Sequence, residues 1–135
     1  KKIEPDYSGY MGLVFEKVCT DYMCEKNAKG ELPILFTSIG RWWGTDPTTH
    51  GQEEIDLVAN DRKDYIFGEC KWRNEKLDIS VLRELKAKTD IFSKNRNDTY
   101  YYLFSKSGFT EAVIDESESD SSIVLVDLND IMDFK

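Results

Sequence analysis

The apolar residues of the chain fall into short segments whose spacing predicts alternating helices and strands. A first helix is predicted to begin near Gly9 after an N-cap at Ser8 and to stop at Gly30. Its apolar residues recur at helical spacing: Met11, Val14, Phe15, Val18 and Tyr22. An extended segment over 32–43 and a polar loop over 44–51 are expected to follow.

The middle of the chain predicts two strands and a second helix. Residues 55–60 and 65–72 are the strands, joined by the polar turn 61–64. Asp78 is expected to cap a helix that closes near 95–97. The residues expected to point inward from that helix are Val81, Leu82, Leu85 and Phe92.

The last third predicts two more strands and a closing helix. Residues 100–104 are aromatic on both faces, which indicates an interior strand. A loop over 105–108, a short buried strand over 123–126 and a helix over 128–134 complete the chain. The order α-β-β-β-α-β, followed by another strand, predicts an α/β domain with a mixed central sheet flanked by helices.

Composition narrows the class of protein. The 135 residues, 40% hydrophobic and 33% charged, predict one globular domain spanning 1–135. No apolar run approaches 18 residues, so neither a membrane segment nor a membrane partner is expected. Three cysteines without a C-x-x-C pair indicate reduced thiols and a cytoplasmic protein, and a single histidine argues against histidine-based metal and nucleophile sites. The absence of an initial methionine leads us to expect a piece of a longer protein.

Charge is distributed unevenly along the chain. The net charge of −8 argues against simple nucleic-acid binding, which usually needs a basic face. Residues 71–96, however, contain eight basic and four acidic residues, whereas 107–134 contain eight acidic and no basic ones. The candidate nucleic-acid contacts are Arg41, Trp43, Arg73, Arg83 and Lys86. The alternatives are solvated basic side chains and, for the tryptophan, a core or interface role.

The predicted hairpin carries the candidate chemistry. Alternation puts Glu69 and Lys71 on one face of their strand and Cys70 on the other, where the thiol is expected to be a core residue. A four-residue turn places Asp56 opposite Glu69 and Glu54 opposite Lys71, with facing Cβ atoms about 5 Å apart. The turn length therefore decides whether the two carboxylates meet.

Two adjacent carboxylates repel each other unless one is protonated or a cation lies between them. Mg²⁺ prefers such oxygen ligands and completes its shell with water. A neighbouring lysine could stabilise developing charge or orient the attacking water, which would give a metal-assisted site for phosphodiester hydrolysis. The alternative is a surface ladder of ion pairs worth under ~1 kcal/mol, formed by Glu54, Asp56, Glu69 and Lys71.

The segments 53–59 and 67–72 resemble the PD-(D/E)xK nuclease superfamily, whose fold is the restriction-endonuclease-like fold. With the blocks at 10–16, 40–44 and 103–109, nearly the whole chain resembles a domain of unknown function found C-terminal to a P-loop ATPase module in archaeal and bacterial ATPases. This resemblance implies that the ATPase module lies upstream on the same chain.

The resemblance also implies roles for individual residues. Asp56 and Glu69 correspond to the ligands of Mg²⁺ or Mn²⁺, and Lys71 corresponds to the catalytic lysine. Glu16 matches the acidic residue that many members contribute from the first helix, its alternative being a solvated helix glutamate. Ile55 stands where the motif has proline.

Two functions remain open from the sequence. The first is a metal-dependent nuclease that acts on DNA or RNA under the control of the fused ATPase. The second is a catalytically inactive nuclease fold that binds or regulates that ATPase, which the acidic stretch 115–120 favours because it repels phosphates. The loop 105–108 lacks the full phosphate-loop pattern, and no ATP site is expected in this fragment.

Overall fold

The fold is built on a five-stranded mixed sheet in the order β1-β2-β3-β4-β5. The computed structural model describes residues 7–45, 51–90 and 96–133. Its elements are α1 (Tyr7–Ala28), β1 (Ser38–Thr45), β2 (Gln52–Asp61), β3 (Asp64–Lys71), α2 (Ile79–Thr89), β4 (Thr99–Ser105), α3 (Glu111–Ser119), β5 (Ile123–Asp127) and α4 (Leu128–Asp133). Strands β1 to β3 pair antiparallel, and β3 to β5 pair parallel.

The predicted order of helices and strands is confirmed, and β4 is an interior strand as its aromatic faces indicated. Helix α3 is an addition that the sequence did not reveal. Its residues, EAVIDESES, include a single buried side chain, Val113, which is too little apolar content for a periodic signal. The helix supplies the crossover that parallel strands β4 and β5 require.

Helix termini agree with the predictions at some ends and differ at others. Helix α1 begins at Tyr7, so the prediction of Ser8 as its N-cap is wrong. Gly30 follows the end of the helix as predicted, and it adopts a left-handed conformation (φ 69°) there. The cap of α2 is confirmed, because the Asp78 carboxylate accepts a hydrogen bond from the Ser80 N–H at 3.0 Å.

Helix α2 ends at Thr89, earlier than predicted. The Thr89 hydroxyl donates a hydrogen bond to the Lys86 carbonyl, and the Arg96 guanidinium donates one to the Thr89 carbonyl at 2.6 Å. These contacts satisfy groups at the last turn of the helix. Phe92, predicted to point inward, lies outside the described residues.

Strand β1 begins at Ser38, so residues 32–37, the first half of the predicted extended segment, are irregular. Asn27, near the end of α1, holds this segment with two hydrogen bonds to the backbone of Phe36. Its Nδ2 donates to the Phe36 carbonyl at 3.0 Å, and its Oδ1 accepts from the Phe36 N–H at 2.9 Å. The irregular segment is thereby fixed against the helix.

Replacement of Asn27 by alanine is expected to lower the free energy of unfolding by about 1–3 kcal/mol. The variant leaves a partly buried donor and acceptor of Phe36 without their partners. Urea denaturation checks this value, with the exposed Asn129→Ala as a surface control. An unchanged midpoint in Asn27→Ala would show that the segment is held by other contacts.

The hairpin between β2 and β3 has the predicted pairing, because Asn60 lies opposite Tyr65. Its turn is shorter than the predicted four residues: Asp61 and Asp64 also pair, which leaves Arg62 and Lys63 as the turn. Shortening the turn by one residue on each side keeps the register, so the side chains stay on the predicted faces.

A β-bulge interrupts β2 at the candidate site. Gly40 pairs with Val58 and Trp42 pairs with Ile55, so two residues of β2, Asp56 and Leu57, lie opposite Arg41 alone. Leu57 consequently packs in the core beneath α1, whereas Ile55 packs in the core beneath α2. A bulge of this kind redirects side chains and ends regular pairing.

The two faces of the sheet carry separate cores. Helices α1 and α4 cover one face, and α2 and α3 cover the other. Cys70 is buried beneath α1 and Phe67 beneath α2, which confirms the predicted alternation along β3 and the core role of the thiol. Within the described ranges, no helix combines the length and apolar content needed to cross a membrane.

Candidate active site

Asp56 and Glu69 are adjacent where the bulge ends the regular pairing of β2 with β3. The Asp56 carboxylate accepts a hydrogen bond from the Cys70 N–H at 2.9 Å. The Asp56 N–H in turn points at Glu69, with 3.4 Å between the nitrogen and Oε2. The two acidic residues are therefore tied to each other through backbone groups of neighbouring strands.

Glu69 is an ionisable side chain inside the protein, with 3% of its surface exposed. Lys71 Nζ lies 3.6 Å from its Oε1, and Lys88 Nζ lies 3.6 Å from its Oε2. Burial raises the pKa of Glu69 to about 7, and the Asp56 charge adds to this rise. The charges of Lys88 and Lys71 and the Asp56 N–H act in the opposite direction.

Lys88 is a member of this cluster that the sequence suggested only as a possible phosphate contact or a solvated helix residue, and did not place beside the carboxylates. It extends from α2, contacts Glu69, and donates a hydrogen bond to the Glu54 backbone carbonyl at 2.8 Å. In the sequence it was one of several basic residues on a predicted helix. Its position beside Glu69 depends on how α2 packs on the sheet, for which helical spacing gives no signal.

A second group of charges lies on the α1 side of the bulge. Arg41 forms an ion pair with Glu16 of α1, and its Nη1 lies 3.0 Å from Glu54 Oε1. Burial raises the pKa of Glu16, the hydrogen bond from Arg41 lowers it, and the Asp56 charge raises it. Glu16 thus has a partly buried, paired carboxylate near the bulge, which differs from a solvated helix glutamate.

The observed ion pairs differ from those expected from the predicted pairing of β2 with β3. Glu54 pairs with Arg41, and Lys71 pairs with Glu69. The prediction that Lys71 lies opposite Glu54 is wrong, because regular pairing stops at Leu57 and Gly68, before those positions. Glu69 is contacted by two lysines, Lys71 of its own strand and Lys88 of α2.

The candidate nucleic-acid contacts occupy different environments. Arg41 is engaged by two glutamates at the site, and Trp43 is 64% exposed at the edge strand β1. Arg73 and Arg83 are exposed. Lys86 lies 3.8 Å from Asp120 and over the ring of Tyr101. The structure thus brings Arg41 to the carboxylates and does not gather all five side chains into one contact group.

Comparison with known proteins identifies the family. Residues 1–91 match the model of DUF234, described as archaeal and bacterial proteins of unknown function. The chain belongs to DUF234. It is also 36% identical over 135 residues to an uncharacterized protein of Methanocaldococcus jannaschii, and the match covers 96% of this chain. The chain spans 28% of the length of that relative.

Solved structures show that the DUF234 chain has a restriction-endonuclease-like fold. A repair endonuclease from Pyrococcus abyssi superposes with a TM-score of 0.50 at 15% identity, covering 95% of this chain and 49% of the endonuclease. A protein of unknown function, AF1548, superposes with a TM-score of 0.53 at 15% identity, covering 82% of this chain and 57% of that protein. The fold class predicted from the sequence is confirmed.

The donor set of the DUF234 site fits an oxygen-ligating divalent ion. Asp56 and Glu69 supply carboxylates of adjacent strands. Across residues 7–45, 51–90 and 96–133, no group of three or more histidine, cysteine or acidic residues is arranged to hold a metal ion. Structural zinc sites need four protein ligands, whereas Mg²⁺ is commonly held by one or two carboxylates with waters. The residues present therefore fit Mg²⁺ or Mn²⁺ better than zinc.

The raised pKa of Glu69 predicts a specific pH dependence of stability. The pKa of Glu69 is about 7 in the folded protein and 4.5 in a model peptide. Between these values the folded state binds more protons than the unfolded state, so this residue lowers the free energy of unfolding as pH rises from 4.5 to 7.

Glu69→Gln removes this dependence. Between pH 4.5 and pH 8, the free energy of unfolding of the variant should gain about 3 kcal/mol relative to that of the wild type. Urea unfolding of both proteins at a series of pH values without divalent metal measures this difference. A difference that does not change with pH would mean that Glu69 titrates alike in the folded and unfolded states.

Proposed function

We propose that the DUF234 chain is a metal-dependent nuclease domain that hydrolyses phosphodiester bonds of DNA or RNA. The observation that carries this proposal is the meeting of Asp56 and Glu69 at the bulge, with the Lys71 amine 3.6 Å from Glu69. In this proposal Asp56 and Glu69 are the ligands of Mg²⁺ or Mn²⁺, and Lys71 is the catalytic lysine. The restriction-endonuclease-like fold supports the assignment.

Each residue has a separate task in the proposed site. A bound divalent ion would supply positive charge for the phosphate and a more acidic water. Asp56 and Glu69 hold their carboxylates in place through the Cys70 and Asp56 backbone N–H groups. Lys71, whose side chain is 24% exposed, can turn its ammonium from Glu69 to a substrate phosphate and stabilise the charge that develops there.

Glu16 completes the acidic group on the α1 side. Its carboxylate is oriented by Arg41, which also binds Glu54. We propose that Glu16 orients a water near the reacting phosphate and that Arg41 keeps the acidic residues from repelling one another. Trp43, Arg73, Arg83 and Lys86 are the proposed contacts to the bases and phosphates beyond the site.

The domain is proposed to work within a longer protein. Its relative from Methanocaldococcus jannaschii is several times longer than the matched segment, since the chain spans 28% of it. We propose that residues 1–135 form one nuclease-like domain and that a P-loop ATPase module lies upstream on the same chain. The protein is proposed to be cytoplasmic, with ATP bound by the upstream module.

Direct cleavage assays test the nuclease proposal. Supercoiled plasmid, single-stranded DNA and single-stranded RNA are incubated with purified protein and Mg²⁺ or Mn²⁺, with EDTA in parallel. We expect cleavage of at least one substrate class that requires the divalent ion. No cleavage of any substrate by the protein that contains its upstream module, with or without ATP, would contradict the proposal.

A second candidate function is a module that binds or regulates the fused ATPase and cuts nothing. Its support is electrostatic. Arg41 is already paired with two glutamates, the net charge is −8, and the acidic stretch 115–120 extends along and beyond α3. This function predicts that titration with Mn²⁺ releases no heat. It also predicts that deletion of the domain changes the ATPase rate of the full chain.

A further inference from the structure

We propose that Lys88 is a built-in counter-cation that holds the carboxylate pair together in the metal-free protein. This inference rests on the proposed function only in that the ion would bind at Asp56 and Glu69. In this proposal Lys88 of α2 neutralises the negative charge of the carboxylate pair. Lys71 is left with the separate role of stabilising the charge of a reacting phosphate.

The two oxygens of Glu69 have different neighbours. Oε2 faces both the Asp56 N–H, at 3.4 Å, and Lys88 Nζ, at 3.6 Å. Oε1 faces Lys71 Nζ, at 3.6 Å. One ammonium therefore lies on the side of the carboxylate that is tied to β2, and the other lies at the end of β3. Both lysine side chains are mostly covered, with 21% and 24% exposed for Lys88 and Lys71.

Lys88 is fixed in place and Lys71 is not fixed in the same way. The Lys88 ammonium also donates to the Glu54 carbonyl at 2.8 Å, which ties α2 to β2 two residues before Asp56. Among the described residues, the side-chain amine of Lys71 contacts Glu69. The two contacts of Lys88 suit it to keep its positive charge beside Glu69 permanently. The single described contact of Lys71 leaves its ammonium able to turn toward a substrate.

Burial makes a permanent positive charge beside Glu69 important whenever its carboxylate is ionised. Glu69 is 3% exposed, and the charged form of a carboxylate is costly inside a protein unless a cation compensates it. Asp56 adds a second negative charge beside it. Without a divalent ion, Lys88 and Lys71 are the cations that contact Glu69 in the described part of the chain. A bound ion would supply the positive charge that Lys88 provides in its absence.

Lys88→Met therefore has two expected effects. In EDTA the Tm should fall by about 5 °C, because a buried carboxylate loses one of its two ammonium groups. A saturating concentration of Mn²⁺ should raise the Tm of Lys88→Met by several degrees more than that of the wild type, because the ion replaces the lost charge and no longer faces the Lys88 ammonium.

Three further variants control the experiment. Lys88→Arg keeps the charge and should respond to Mn²⁺ like the wild type. Lys88→Gln keeps a donor for the Glu54 carbonyl without the charge, and it tests the charge if the methionine variant fails to fold. Lys86→Met removes a lysine of the same helix that contacts Asp120 instead, and its Mn²⁺ shift should equal that of the wild type.

Equal Mn²⁺ shifts in the wild type and in the neutral Lys88 variants, including no shift in either, would overturn the role of Lys88. This outcome is distinct from failure of the nuclease proposal. If the wild type cleaves nucleic acid and its Tm shift with Mn²⁺ equals that of Lys88→Met, only the counter-cation role of Lys88 is wrong. If the wild type never cleaves nucleic acid but Lys88→Met shows the larger Tm shift with Mn²⁺, only the nuclease proposal is wrong.

Discussion

Lys71→Met is expected to reduce metal-dependent cleavage at least a hundred-fold. Loss of a positioned positive charge that stabilises a reacting phosphate typically costs about 10²–10³ in rate. The variant should stay folded, because Lys88 continues to neutralise Glu69 and the packing of β3 is unchanged. It should also bind Mn²⁺, since the carboxylates of Asp56 and Glu69 are retained. The measurement is the initial rate of cleavage at saturating metal.

The matched control is Lys63→Met, which removes an exposed lysine from the turn at the other end of the same strand. Its cleavage rate should stay within a factor of two of the wild-type rate. Undiminished cleavage by Lys71→Met would remove the assignment of Lys71 as the catalytic lysine. A Lys71→Met protein that has lost its cooperative thermal transition would instead assign the residue to the stability of β3.

Asp56→Asn is expected to abolish both Mn²⁺ binding and cleavage. The wild type should gain about 2.7 kcal/mol of stability when Mn²⁺ is present at a hundred times its dissociation constant, and its Tm should rise accordingly. Asparagine keeps an oxygen that can accept the Cys70 N–H, so the junction of β2 and β3 is preserved. It lacks the negative charge that a hard divalent cation requires.

The control for Asp56→Asn is Asp61→Asn, in the same strand but at the turn of the hairpin. Its Mn²⁺ shift should match that of the wild type, measured by thermal unfolding in parallel samples with EDTA and with Mn²⁺. A full Mn²⁺ shift in Asp56→Asn would place the ion elsewhere in the protein and contradict the assignment of Asp56 as a ligand.

Local patterns were sufficient to predict the hairpin that positions Asp56 and Glu69. Alternation along β3 identified the faces of Cys70 and Glu69, because side chains of a strand alternate regardless of what packs around it. The observed turn has two residues rather than the predicted four, yet Asn60 still faces Tyr65. A two-residue turn over 62–63 and a four-residue turn over 61–64 give the same pairing of β2 with β3. The error in turn length therefore did not change which residues face each other at the site.

The bulge and the contribution of α2 depend on tertiary structure. An extra residue in β2 opposite Arg41 is defined by pairing with β1, and it leaves no mark in the alternation of a strand read alone. This is why Glu54 was expected beside Lys71 and is found with Arg41. Lys88 reaches Glu69 across 19 positions of sequence, through the packing of a helix on a sheet.

The family and fold comparisons agree with the observed architecture. Members of DUF234 are described as proteins of unknown function, and the superposition with the Pyrococcus abyssi endonuclease at 15% identity shows the fold alone. Folds host many functions, so function has to be argued from the site. The carboxylate pair with its flanking lysines is the feature on which the proposed chemistry rests.

The most direct test of the metal-dependent site is a crystal of the domain soaked in Mn²⁺, with anomalous difference density collected near the manganese edge. The account predicts a peak between the carboxylates of Asp56 and Glu69, with waters completing its coordination. The absence of a peak there, at a Mn²⁺ concentration that supports full cleavage in solution, would contradict the site.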